Sequence, residues 1–318
     1  MSEAPVRSLF KPASPDAPIP EILDAVGNTP LLTLHRISRD VPGRTLLAKA
    51  EFLNPSGSVK DRAARAMLLD GIARGLLPPG RTIVDATSGN TGIAYAMMGA
   101  ALGRAVVLYM PANAGRERRD MILAYGAAIV PTDPLEGSDG AYLAAKAAAE
   151  ADPERHFHPD QYNNPANPRA HYETTGPEIL AQAGPLTHFI AGMGTSGTFM
   201  GTSRFLRERN PGIGIVAVQP DSPFHGIEGT KHMASTIKPG IYDETLADAV
   251  VPVSTEDAYA MVRRLAREEG ILVGISSGAN VHGALTLARS LPQGARIVTI
   301  LCDRGERHLS DDFWRTAP

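Results

Sequence analysis

Residues 54–62, Asn54-Pro55-Ser56-Gly57-Ser58-Val59-Lys60-Asp61-Arg62, put a lysine where a Pro/Gly/Ser turn runs into an apolar pattern of helical spacing (Ala63, Ala64, Met67, Leu68). A lysine in the first turn of a helix faces the positive end of the macrodipole, which disfavours the ammonium form and favours the free amine. A free amine is a nucleophile and a Schiff-base former, so Lys60 is the candidate catalytic residue. The plain alternative is a solvated lysine at a loop–helix junction, and the rest of the chain has to decide between the two.

Three further turns carry polar groups suited to small ligands. Gly192-Met193-Gly194-Thr195-Ser196-Gly197-Thr198 fits G-x-G-x-x-G between a predicted strand and a predicted helix, and Asp221 ends the next strand. That combination is compatible with an NAD-dependent oxidoreductase built on residues 192–197. The loop suits a single phosphate group better than a pyrophosphate, because the helix N-terminus offers backbone N–H groups, Thr195, Ser196 and Thr198 add hydroxyls, and no second phosphate-type turn is paired with it. Thr87-Ser88-Gly89-Asn90-Thr91-Gly92 offers hydroxyls, an amide and N–H groups at another helix start, which suits a carboxylate or a simple N-cap. Ser276-Ser277-Gly278 has the same character. Arg116, Arg118 and Arg119 read as a solvated helix face. The histidines lack an H-x-x-x-H pair, so no metal site is expected, and neither is a serine nucleophile elbow.

Strand and helix alternate through most of the chain, which predicts an α/β protein with largely parallel sheets flanked by helices. Strands are expected at 45–52, 81–86, 104–110, 127–131, 187–191, 214–218 and 296–302, and helices at 169–183 and 255–269 among others. In such folds ligands sit at the carboxyl ends of strands, where each of these turns would fall. Residues 1–20 are proline-rich and read as an extended or disordered arm; 161–168 is an amide- and proline-rich loop, and 220–244 an irregular stretch. With 318 residues, 43% hydrophobic and 20% charged, the chain can bury a large core and should form about two domains. A net charge of −3 makes no case for nucleic acid or an acidic membrane. A single cysteine, Cys302, fits a reducing compartment, and the absence of any apolar leader or spanning run points to the cytoplasm.

One lysine, one monophosphate cup and one carboxylate loop together describe pyridoxal phosphate and an amino acid. Asn54 to Arg62, Thr87 to Gly92, Gly194 to Thr198 and Gly274 to Ala279 resemble the cysteine synthases, β-replacing pyridoxal-phosphate enzymes of fold type II (tryptophan synthase β-like). The likeness runs from about Ile22 to Leu309. Thr195 to Thr198 and Tyr172 to Leu180 look most like the B-type enzymes. The resemblance implies that Lys60 holds the cofactor and shuttles the Cα proton, that Asn90 bonds the ring hydroxyl oxygen, that Gly194, Thr195, Ser196, Gly197 and Thr198 hold the phosphate, and that Ser276 faces the ring nitrogen. It implies Thr87, Ser88, Gly89, Thr91 and Gln161 for the substrate carboxylate. The implied reaction makes L-cysteine from O-acetylserine or O-phosphoserine and a sulfur donor, through an aminoacrylate. The implied domains are 21–46 plus 165–318, holding the phosphate, and a smaller mobile 47–164 carrying the lysine and the carboxylate loop. A homodimer is implied as well. Ser196 replaces a glycine common in the family, and Cys302-Asp303-Arg304-Gly305-Glu306-Arg307 replaces the usual Pro-Asp-Ser-Gly-Glu-Arg, so Arg304 is expected to alter the ring's surroundings or the leaving-group preference. A phosphoserine donor would want a cation, for which Lys231, His225 and Arg116 are candidates.

Overall fold

The structure, a computed structural model, describes residues 19–87 and 89–315; Ser88 and most of the expected N-terminal arm (1–18) lie outside the described residues. The strands, in chain order, are β1 (Leu31–Thr33), β2 (Thr45–Ala50), β3 (Thr82–Ala86), β4 (Val106–Pro111), β5 (Ala128–Thr132), β6 (His156–Phe157), β7 (His188–Gly192), β8 (Gly214–Pro220), β9 (Ala249–Val253) and β10 (Arg296–Leu301). The α-helices are α1 (Glu21–Asp24), α2 (Lys60–Ala73), α3 (Asn90–Leu102), α4 (Arg116–Ala124), α5 (Gly137–Ala151), α6 (Ala166–Ala170), α7 (Gly176–Ala183), α8 (Gly197–Arg209), α9 (Thr255–Arg264) and α10 (Ile275–Ser290).

The described residues divide into two compact units, one of residues 19–24 with Leu68–Asp160, the other of Ala25–Met67 with residues 161–315. In the smaller unit β5-β4-β3-β6 form an all-parallel sheet. In the larger unit the order is β1-β2-β10-β7-β8-β9, parallel except for β1 against β2. The pattern of alternating strands and helices is what dictates parallel pairing.

The central strands of the larger sheet are apolar on both faces. Phe189, Ala191, Ile215, Ala217, Val298 and Ile300 pack with Ile179 of α7 and Phe199 and Met200 of α8. Ile190, Val216, Val218, Ile297 and Leu301 pack with Met261 and Val262 of α9 and Ala279 and Ala284 of α10. From β7 the chain steps outward to β8 and β9, then returns through α10 to β10 on the other side of β7. The carboxyl ends of β7 and β10 therefore flank a switch point, the place where such sheets bind ligands.

Three local differences from the sequence pattern have physical causes. The strand expected over 45–52 stops at Ala50, and Glu51–Leu53 form a tight 3-10 turn that directs Glu51 inward. The helix expected at 169–183 begins at Ala166, started by Asn164 Oδ1 accepting the Ala166 N–H (2.9 Å), and widens into a π turn over His171–Thr175. β9 is not among the strands expected from the sequence: it is an exposed edge strand whose valine run is interrupted by Pro252, which the edge position tolerates. The division of the chain also differs from 47–164. β2 pairs with β10 in the larger sheet and the Val59 N–H donates to Cys302 O (2.8 Å), so the start of α2 with Lys60 belongs to the larger unit. Among the described residues, no helix is long and apolar enough to cross a membrane.

Candidate active site

Lys60 is the first residue of α2, as the turn-into-helix pattern predicts. The turn before it is built from buried polar groups. Arg62 reaches Glu51 through Nε and Nη2 (both 2.7 Å) and Glu178 through Nη1 and Nη2 (both 2.7 Å). Lys49 Nζ joins Glu178 at 2.7 Å, and Asn54 Nδ2 donates to Glu51 Oε2 at 2.9 Å. Two cations and two carboxylates thus balance within one cluster. Burial alone would raise the Glu178 carboxyl, but Arg62 and Lys49 hold it down at about 2. On the other flank Asp61, fully buried, accepts from the Ser56 N–H (2.7 Å) and the Ser56 hydroxyl. Burial pushes its carboxyl up to about 6, against the pull of Ser56 and Arg307.

At the end of β7 the glycine loop forms a cup. Side chains on Gly194 and Gly197 would collide with Gly229 O and with Asn167 Oδ1, so the two glycines let neighbouring chain close around the loop. Ser196 sits at φ +68 as the N-cap of α8 with no side-chain cap bond, and its hydroxyl, buried, has no hydrogen-bond partner. An orphaned hydroxyl at the head of a 13-residue helix is the feature a small anion would satisfy. The cup is tied to its surroundings by Asn167 Nδ2, which donates to Thr195 Oγ1 (3.1 Å) and to the Gln161 carbonyl (2.7 Å). Thr198 Oγ1 lies 3.2 Å from His171 Nε2, and His171 Nδ1 lies 2.9 Å from Thr175 Oγ1.

His171 and Cys302 connect the predicted residues. Burial, then the charges of Arg62 and Lys60, push the His171 ring well below its usual range, so it is neutral. Burial pushes the Cys302 thiol up to about 11, opposed by Lys60 and by a hydrogen bond with Ser276. Ser276 lies in the first turn of α10, whose Ser277 hydroxyl accepts the Cys302 N–H (2.8 Å) and whose Asn280 Oδ1 accepts the Gly192 N–H (2.7 Å). The head of α10 therefore joins the ends of β7 and β10. Within the larger unit hydrogen bonds thus join Thr195 to Gln161 through Asn167, Thr198 to His171, and Ser276 to Cys302, whose carbonyl accepts the N–H of Val59 beside Lys60. His171 is the residue sequence reading missed; its signal was the His171–Thr175 helical spacing beside the Tyr172 to Leu180 motif. Arg304 Nε donates to Phe52 O (3.0 Å), strapping the lysine turn.

Thr87, Gly89, Asn90 and Thr91 lie together in the smaller unit, between β3 and α3. Thr87 Oγ1 accepts the N–H groups of Gly89 (3.0 Å) and Gly92 (3.1 Å), so the threonine shapes the loop and still has a hydroxyl hydrogen to give. Ser88 is outside the described residues. Arg118 corrects the reading of a solvated arginine face: it is 5% exposed and packs against Gly89 and Gly115 so tightly that a Cβ at either would strike it. Arg116 is exposed, as expected.

This is the architecture of a ligand site at the switch point of an α/β sheet, with an amine and an anion cup in one unit. The chain belongs to the family of pyridoxal-phosphate-dependent enzymes, whose pattern matches residues 22–303. It is 52% identical over 295 residues to a cysteine synthase of Aquifex aeolicus, covering 91% of this chain and 90% of that one. It is 46% identical over 286 residues to cysteine synthase B of Salmonella typhimurium, covering 90% and 93%. The crystal structure of an O-ureido-L-serine synthase superposes with a TM-score of 0.87 at 41% identity, covering 93% of this chain and 95% of that one. The chain is therefore a pyridoxal-phosphate enzyme of fold type II, and its residues fit the cofactor: the orphaned Ser196 hydroxyl and glycine cup suit a phosphate, and Lys60 offers an amine at the head of α2. The dinucleotide reading falls with this. Gly192, Gly194 and Gly197 close against Asn280, Gly229 and Asn167, and Asp221 is tied to the edge strand through its N–H on Val253 O (3.1 Å).

Proposed function

We propose that the chain makes L-cysteine by replacing the β-substituent of an activated serine with sulfide. One observation carries this reading beyond the relatives' names: at the head of α8 the buried Ser196 hydroxyl has no hydrogen-bond partner, in the same glycine loop whose Thr198 Oγ1 lies 3.2 Å from His171 Nε2. Lys60 holds the cofactor and moves the proton at the substrate Cα. Thr195, Ser196, Thr198 and the N–H groups of Gly194 and Gly197 bind the phosphate, Ser276 meets the ring nitrogen, and Asn90 the ring hydroxyl oxygen. Thr87, Ser88, Gly89, Thr91 and Gln161 bind the substrate carboxylate. When bound, pyridoxal phosphate supplies an electron sink that loosens the Cα proton and lets the β-substituent depart. A hydroxyl at Ser276, unlike a carboxylate, places no negative charge at the ring nitrogen, which favours elimination over a long-lived carbanion. The net reaction converts O-acetyl-L-serine and hydrogen sulfide to L-cysteine and acetate, with acetate leaving Cβ with its bonding pair and sulfur taking its place.

O-phosphoserine is the second donor to test, because Lys231 is buried next to the cup: its N–H donates to Met193 O (2.8 Å) and its ammonium stands 4.8 Å from the Tyr162 ring centroid. A different nucleophile is a further reading, favoured by the likeness to O-ureido-L-serine synthase. A cytoplasmic homodimer completes the proposal. The test is the visible absorbance of the purified protein with each donor, then with sulfide, and with products identified. The expected course is a band that shifts with O-acetylserine, returns with sulfide and leaves cysteine in solution. Lys60→Ala should show neither the starting band nor turnover. Pyruvate as sole product, with sulfide present, would overturn the cysteine assignment.

A further inference from the structure

We propose that Arg307, acting through Ser56 and Asp61, is a positioning residue for Lys60; the inference rests on Lys60 being the lysine that holds the cofactor. The segment after β10 straps the lysine turn by main-chain bonds. The Val59 N–H donates to Cys302 O (2.8 Å), the Arg304 N–H to Gly57 O (3.3 Å), and Ser58 pairs with Asp303. These bonds stop one residue short of the lysine. Beyond it the link passes to side chains: Arg307 Nη2 donates to Ser56 O, and Ser56 gives its N–H (2.7 Å) and its hydroxyl to Asp61. Arg307, Ser56 and Asp61 are all buried. The two ends of the turn, Ser56 and Asp61, are thereby closed across the backbone of Lys60, which fixes where its side chain starts. Gly57 has φ +88, and a Cβ there would lie 2.6 Å from Arg307 Nη2, so the turn is shaped to admit the guanidinium.

The charges point the same way. Arg62, next to Asp61 in the chain, is engaged by Glu51 and Glu178. The ionisable groups acting on Asp61 are then Arg307, which favours its anion, and Glu51, which opposes it. An anion buried on such terms costs stability, and its use is the bond to Ser56 that only the ionised form makes in full, since a protonated carboxyl accepts less well from both Ser56 groups. A charge held at a loss beside a reactive amine is the arrangement found where position matters more than stability.

The experiment mixes apoprotein with pyridoxal phosphate and follows the rise of visible absorbance from pH 5 to 8. Wild type, Lys60→Ala, Arg307→Gln, Arg307→Lys and Asp61→Asn are compared, with thermal midpoints as the folding control. In wild type the capture rate should carry an extra fall as pH drops through about 6, beyond any slope common to the variants that keep Lys60. Arg307→Gln should capture the cofactor about tenfold more slowly at pH 8, with kcat lowered and KM for O-acetylserine unchanged, and Arg307→Lys should recover part of the loss. Asp61→Asn should capture slowly at every pH, without the extra fall. A folded Arg307→Gln with the wild-type rate and pH profile overturns the proposal. Should Arg307→Gln not fold, Ser56→Ala, which keeps both charges, takes its place: a normal rate and profile there overturns it equally. Capture by Lys60→Ala at the wild-type rate would instead refute the lysine assignment on which it rests.

Discussion

The lysine turn and the 87–92 loop are both turns that feed a helix, and they are held in opposite ways. Thr87 to Gly92 is organised locally: one hydroxyl, Thr87 Oγ1, accepts two N–H groups within five residues, and Arg118 packs behind Gly89. Asn54 to Arg62 is organised from far along the chain, by Glu178 on one flank and by Cys302, Arg304 and Arg307 on the other. A loop that caps a helix needs only its own residues. A turn that must hold one amine in a fixed place draws on several strands of a rigid sheet. The lysine turn therefore concentrates paired buried charge, whereas Thr87 shapes its own loop through two neutral hydrogen bonds.

The largest effect should come from breaking the balanced flank of the lysine turn. Arg62→Ala leaves Glu51, wholly buried, without its guanidinium, and leaves Glu178 with Lys49 alone. A buried pair broken on one side costs about 3–5 kcal/mol, and urea unfolding should show a loss of that size. A loss under about 1 kcal/mol would mean that the cluster is loosely solvated and that the contrast with the 87–92 loop does not hold.

Next comes the pH dependence of the other flank. The Asp61 carboxyl titrates at about 6 in the folded protein against 3.8 ordinarily, so the folded state binds its proton more tightly than the unfolded one. Its contribution to stability is full below about pH 4 and is lost as pH rises through 6. Measured against Asp61→Asn, wild type should lose on the order of 3 kcal/mol of unfolding free energy between pH 4 and 8. Glu178 runs the other way: held down at about 2, it stabilises at neutral pH, and that support goes as pH falls from its ordinary 4.5 toward 2. The two carboxylates on either side of Lys60 thus carry opposite signs, which marks Glu178 as a stabilising group and Asp61 as one retained for another reason.

The local parts of the site were legible in the sequence, and the distant ones were not. Pro55 and Gly57 before an apolar helix period put Lys60 at the head of α2, and the Gly/Ser/Thr run after an apolar strand put the cup at the head of α8. Both are short-range consequences of turn chemistry. Arg118 looked solvated because a helix of Arg116, Glu117, Arg118 and Arg119 has no clear apolar side; only the approach of Gly89 and Gly115 buries one arginine of it. β2 reads as a buried strand, yet nothing in its pattern says that its partner is β10, some 250 residues on, and it is this pairing that groups the lysine turn with Ala25–Met67 rather than with 47–164. The contact of Arg304 with Phe52 O depends on that same long-range pairing and has no local signal in the sequence.

The smallest effect should come from the loop that holds itself. Thr87→Val keeps the shape of the side chain and removes only the oxygen that accepts from Gly89 and Gly92. Two largely buried N–H groups then lose their acceptor, a loss of about 1–2 kcal/mol, below that for Arg62→Ala because no charge is stranded. The kinetic outcome separates the two uses of the loop. If it binds the substrate carboxylate, KM for O-acetylserine should rise while the cofactor band and its rate of formation stay as in wild type. A variant destabilised by the same amount with KM unchanged would make the loop a helix cap alone. The chemistry would then be confined to the residues that Arg307, Glu51 and Glu178 hold in place, and Gln161 would be left as the carboxylate's partner.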